Sequence, residues 1–185
     1  MNALTLNEKD TMLLVVDIQE RLAPAMQPEL YGALVENMRR FGAARAVLDL
    51  PVVVTEQYPK GLGPTVAPIR DAFEGVAARE KISFSAMGDE GIAKTIEAVG
   101  RQSVVVAGME THICVYQTVR DLVDAGFRVH VLADGVASRT RDNYAIGLAL
   151  MQKAGAAITS TETVLFDLLG RAGTEEFKVI SKLVR

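Results

Sequence analysis

The sequence predicts a three-layer α/β/α fold, with helices covering both faces of a mainly parallel sheet of about five to six strands. Three observations carry this. Short, Val-rich apolar runs recur along the chain, as strands buried on both faces require. Segments with apolar residues at helical spacing alternate with them, the pattern of βαβ units. No Pro/Gly-rich linker or internal repeat divides the 185 residues, so one domain spanning 1–185 is expected.

"TMLLVVDI" (11–18) is an unbroken apolar run that ends at Asp17 and reads as the first strand. Residues 28–50 carry helical spacing, with Pro28 suited to a first turn. "PVVVTEQ" (51–57) is a second strand. "YPKGLGPTVAP" (58–68) is dense in Gly and Pro and reads as a loop. Residues 89–100 form a helix with acidic residues first and Gly100 last. "QSVVVAG" (102–108) is a third strand, and 111–126 a helix closed by Gly126. "FRVHVLAD" (127–134) is a fourth strand, 141–155 a helix, and "AAITST" (156–161) a fifth, short strand. "ETVLFDLLG" and "TEEFKVISKLVR" supply C-terminal helices.

Composition narrows the function. The net charge of −3 and the lack of any Lys/Arg run argue against a nucleic-acid partner. The apolar runs are of strand length, too short to cross a membrane, and the N-terminal residues lack a signal-peptide pattern. With one cysteine there is no internal disulfide framework, and a cytoplasmic protein is expected.

Ligands of open parallel sheets bind beyond the carboxyl ends of the strands. That edge should gather Asp17 and Gln19, Thr55 to Tyr58, Gly108 to Cys114, and Asp134 to Ser138. Cys114, the only cysteine, would open the helix after the third strand. Free N–H groups and the positive helix end there would lower its pKa and hold an oxyanion. Asp17, ending the first strand at the edge where the third also ends, is the better base than His112, which lies two residues away and faces elsewhere. Taken singly the signals are weak. A lone cysteine is more often a small buried apolar residue, a carboxylate after a strand often caps a turn, and Lys81 alone reads as a surface lysine.

The stretches "LLVVDIQ", "KISFSAM", "VVVAGMETHICVYQT" and "HVLADGVASR" together resemble the isochorismatase-like cysteine hydrolases, over about residues 12–169. "VVTEQYPKGLGPT" is similar to the subgroup of isochorismatase domain-containing proteins. The resemblance implies a triad of Asp17, Lys81 and Cys114, in which the thiol attacks an amide-type carbonyl and a thioacyl enzyme forms. It also implies a cis peptide at Met109–Glu110, with the amides of Glu110 and Cys114 as oxyanion donors. Glu110 departs from the smaller residues common at that position in the family. Nicotinamidases of the family hold a metal with an Asp-x-His motif and a further His. "TEQYPKGLGPT" has no His, so no metal and no other cofactor is expected. True isochorismatases lack the cysteine, so Cys114 argues against their vinyl-ether reaction.

Gln19, Gln57, Tyr58, Phe84, His112 and Ile113 are the expected substrate-binding residues. Neutral hydrogen-bonding groups against apolar walls suit a small amide. Arg139 and Arg141 read as solvated or interfacial, and the family suggests a homo-oligomer. Two other readings stay open on the same fold: a non-catalytic interaction protein and a redox-sensing thiol protein.

Overall fold

The computed structural model describes residues 4–184. Of the span 1–185 expected for the domain, residues 1–3 and 185 lie outside the described residues.

β1 (Thr11–Val16) has all six residues buried. α1 (Pro28–Leu48) starts with the Gln27 side chain accepting from the amides of Glu29 and Leu30, and ends at Asp49 in the left-handed region. β2 (Val52–Gln57) follows, then α2 (Pro59–Leu62), a single turn, and α3 (Ala67–Ala72). β3 (Ala78–Lys81), α4 (Glu90–Ala98) and β4 (Ser103–Met109) lead to one turn of π-helix at Thr111–Val115. The chain then forms α5 (Tyr116–Asp124), β5 (Arg128–Ala137), α6 (Arg141–Ala154), β6 (Ala157–Thr159), α7 (Thr161–Leu169) and α8 (Glu175–Leu183).

The six strands form one sheet in the order β3-β2-β1-β4-β5-β6, and every pairing is parallel. Alternate β1 side chains point to opposite faces. Leu13 and Val15 join a core with α1, α3, α7 and α8, through residues such as Phe41, Ile69, Leu165 and Ile180. Met12, Leu14 and Val16 join a second core with α4, α5 and α6, through Ile96, Leu122 and Met151. This is the three-layer architecture expected from the sequence. The chain runs outward from β1 to β3, then returns to β4 on the other side of β1. The crevice between β1 and β4 is therefore the topological switch point of the sheet.

Some local expectations are corrected. β3 escapes the apolar-run criterion because it is an edge strand of sequence AREK, with only Lys81 buried. The expected loop at 58–68 contains α2 and the first residues of α3. β5 continues to Ala137, and its register shifts between Val106 and Gly108 of β4, where β5 carries three extra residues as a bulge. The helix expected over 111–126 begins as a π-turn.

Candidate active site

The β1–β4 register places Val16 opposite Gly108, so Asp17 leaves the sheet beside the start of the turn that carries Cys114. Only glycine fits at 108. Its φ is +140°, and a Cβ there would lie 2.1 Å from the Val16 carbonyl oxygen. Asp17 is fully buried and has φ +53°, in the left-handed region. Its Oδ1 accepts from the Thr55 hydroxyl at 2.7 Å, and its Oδ2 from Lys81 Nζ at 2.5 Å.

Lys81 ends β3, two strand spacings from β1, a gap of about 10 Å that its four-carbon stem spans across β2. Its ammonium also donates to the carbonyls of Ser83 (3.1 Å) and Phe84 (2.8 Å). All three donors are thus occupied, and the side chains of Lys81 and Asp17 have no solvent exposure. Lys81 is a support for Asp17, with no N–H left for a substrate.

Cys114 is 7% exposed and lies close enough to Asp17 for the two groups to influence each other's ionisation. Burial, then the Asp17 charge, push its thiol up to about 12, and the Lys81 charge opposes them only in part. This corrects the expectation of a lowered pKa: the helix end is present, but desolvation and an adjacent carboxylate outweigh it. Burial also raises the Asp17 carboxyl, against the pull of Lys81, Thr55 and Cys114. The thiol is thus held neutral beside Asp17, whose carboxyl group takes the Lys81 ammonium and the Thr55 hydroxyl. A thiol so placed can give its proton to Asp17 as its sulfur attacks an electrophile.

The Met109–Glu110 peptide is cis. The Glu110 carbonyl accepts from the amides of Ile113 (3.0 Å) and Val115 (3.3 Å), and neither bond uses the Cys114 amide between them. The buried Glu110 carboxylate accepts from the Arg139 amide at 3.2 Å and from its Nε at 3.0 Å. Arg139 is therefore ion-paired, where the sequence reading left it solvated or interfacial. Arg141 pairs with Glu29. α6 packs closely on the π-turn, since a Cβ on Gly147 would lie 2.9 Å from the Thr111 carbonyl.

The expected substrate-binding residues separate into two groups. Gln19 is corrected outright. It is fully buried, its Nε2 donates to the carbonyls of Gln57 (3.0 Å) and Gly63 (2.7 Å), and its Oε1 accepts from the Gln57 amide (2.8 Å). It ties the loop after β2 to β1 and has no donor left for a ligand. Gln57 donates from Nε2 to the Ile82 carbonyl at 3.2 Å. Tyr58 and Phe84 are each half exposed, and Ile82 more so. His112 is half-buried with Nδ1 3.1 Å from Ser138 Oγ, and Ile113 packs on the second core. The sequence reading placed Thr55 at this edge without a role; its pairing with Val16 sets its hydroxyl beside Asp17. A pocket of about 260 Å³ beside β3 is lined by Tyr58, Pro59, Lys60, Glu80, Lys81, Ile82 and Asp89. It reaches neither Asp17 nor Cys114, so the buried polar cluster marks the site better than the concavity does. Among the described residues no three His, Cys, Asp or Glu side chains are grouped to hold a metal ion. None of their helices is long and apolar enough to cross a membrane.

A model of the isochorismatase domain matches residues 11–163. Isochorismatase domain-containing protein 2 of Danio rerio is 36% identical over 180 residues, covering 97% of this chain and 89% of that protein. Among solved structures, one described as MAR1 ribonuclease from Caenorhabditis elegans has a TM-score of 0.89 at 34% identity, covering 97% of this chain and 92% of that one. The YcaC gene product of Escherichia coli, described as an octameric hydrolase of unknown specificity, has a TM-score of 0.88 at 21% identity. It covers 97% of this chain and 89% of that chain, and at that identity the likeness concerns the fold alone.

Proposed function

The chain belongs to the isochorismatase family, and from that premise we propose that it is a metal-independent cysteine hydrolase that cleaves a C–N bond of a small amide-type substrate. The observation that carries this reading is the buried convergence of Lys81, Asp17 and Cys114, drawn from three different strand ends. Cys114 Sγ attacks the carbonyl carbon, and the carbonyl electron pair moves to oxygen as the thiol proton passes to Asp17. The backbone amides of Glu110 and Cys114 are the proposed donors to that oxyanion. Collapse re-forms the carbonyl, breaks the C–N bond and sends the Asp17 proton to the leaving nitrogen. Water then attacks the thioester, Asp17 takes its proton, and the C–S bond breaks with return of that proton to sulfur. Lys81 keeps Asp17 ionised while the proton is away.

Gln57, Tyr58, Phe84, His112 and Ile113 remain the proposed substrate-contacting set, without Gln19. A homo-oligomer in solution is proposed from membership of the family.

The test is turnover of a panel of small amides, with intact-mass detection of an adduct on Cys114. The panel includes single-stranded RNA because of the printed description of the Caenorhabditis elegans protein. Asp17→Asn and Cys114→Ala should each abolish amide turnover. Full activity in either variant, or RNA cleavage without amide turnover, overturns the proposal.

A further inference from the structure

The segment at Met109–His112 is held from one side by the end of β5 and the residues just after it. Met109 pairs with Ala137 in the β4–β5 ladder. His112 Nδ1 meets the Oγ of Ser138, which is fully buried. Glu110 Oε2 takes both the amide and the Nε of Arg139. The Glu110 side chain is only 8% exposed while that of Arg139 is 55% exposed, so the carboxylate is drawn into the protein and its counter-charge sits at the surface. No other cation lies within ion-pair distance of Glu110 among the described residues. The same glutamate carries the carbonyl that the π-turn amides bond, and it stands four residues before the thiol.

We propose that Arg139 is a positioning residue for Cys114: by holding the Glu110 carboxylate it fixes the start of the π-turn and cancels the negative charge that Glu110 would otherwise present to the thiol. This rests on the hydrolase reading above. The burial of Glu110 makes the pair consequential, because an uncompensated charge in a dry setting acts at longer range than one in water. The Glu110 charge is among those that disfavour thiolate formation at Cys114, which agrees with the geometry. The large charged residue at this family position therefore comes with its own neutralising partner.

The test reads the rate of Cys114 alkylation by iodoacetamide, a neutral probe whose approach is not steered by charge. Cys114 is the only cysteine, so intact mass reports it alone. Arg139→Gln should slow alkylation about tenfold, the effect of one unit of thiol pKa. Arg139→Lys keeps the charge and the backbone amide, and should restore most of the rate. Glu110→Gln should react at least as fast as the parent, and adding Arg139→Gln to it should produce no further slowing. An unchanged rate in Arg139→Gln, equal losses in the Gln and Lys variants, or the same slowing in the Glu110→Gln background overturns the proposal. If Arg139→Gln does not fold, Glu110→Gln decides alone, and slower alkylation than the parent overturns it. A parent protein that alkylates at Cys114 but turns over no amide strikes the hydrolase reading instead, so the two failures are distinguishable.

Discussion

Replacing Lys81 with Met tests the buried pair at the centre of the site. Both side chains are without solvent exposure, and the Nζ–Oδ2 distance is 2.5 Å. The replacement keeps the apolar stem but leaves Asp17 with the Thr55 hydroxyl as its remaining strong donor, and it strips the Ser83 and Phe84 carbonyls of theirs. Breaking a buried pair from one side costs about 3–5 kcal/mol. The pH dependence separates the charge effect from lost packing. Asp17 already titrates above its ordinary value because of burial, and the Lys81 charge is the largest influence holding it down. Without Lys81 the folded-state pKa rises further. A folded chain that keeps a proton the unfolded chain has released is stabilised at acid pH, and that stability is lost as pH rises through the folded pKa. Between the Asp17 pKa of the parent and that of the variant, the stability deficit should grow by up to about 1.4 kcal/mol per pH unit. Urea unfolding of both proteins at several pH values between about 5 and 8, where folded domains are usually most stable, measures it. A deficit that is constant across that range would refute the assignment of Asp17 as the group that Lys81 holds charged.

Three further substitutions probe the supports of the site. Thr55→Val removes the donor to Asp17 Oδ1 and should cost about 1.5–3 kcal/mol in urea unfolding, the range for a hydrogen bond to a charged group. Gln19→Leu leaves the Gln57 amide and the Gln57 and Gly63 carbonyls without their partners; a loss of about 2–4 kcal/mol should accompany faster proteolytic nicking in residues 59–64. Gly147→Ala sets a Cβ 2.9 Å from the Thr111 carbonyl, so it should destabilise by about 1–3 kcal/mol through overpacking and change the Cys114 alkylation rate by shifting the π-turn.

The sequence displays the central strands because burial on both faces writes them as unbroken apolar runs. β3 has neighbours on one edge only and is mostly exposed, so its four residues read as polar chain. Asp17 and Cys114 could be located by a rule of topology, since each follows a strand at the switch point. Lys81 could not, because its partner lies 64 residues away and nothing local distinguishes a buried lysine from a solvated one. Only the family resemblance singled it out. Gln19 shows the opposite failure: its position beyond β1 is where ligands bind, but the direction of its amide depends on the loop at 57–63, which sequence spacing does not describe. Arg139 reads as a surface charge until the burial of Glu110 is known.

The raised thiol pKa also bears on whether Cys114 is a redox sensor. Asp17 is matched by Lys81, and Glu110 by Arg139, so each buried anion in the site has one cation. A thiolate at rest would be a third anion with no cation of its own, beside the Asp17 carboxylate and 7% exposed. That is why desolvation and Asp17 together hold the thiol at about 12. Peroxide attacks thiolates, and sensor cysteines are exposed and of low pKa. An amide substrate differs in that it supplies the electrophile and the developing oxyanion together, so the proton moves only as the C–S bond forms. The parent protein at neutral pH should therefore be oxidised by hydrogen peroxide no faster than a denatured sample of the same chain, as followed by the sulfenic-acid mass increase. Oxidation of the folded protein tenfold faster than the denatured one, the acceleration expected from about one unit of lowered thiol pKa, would mean that Cys114 rests as a thiolate.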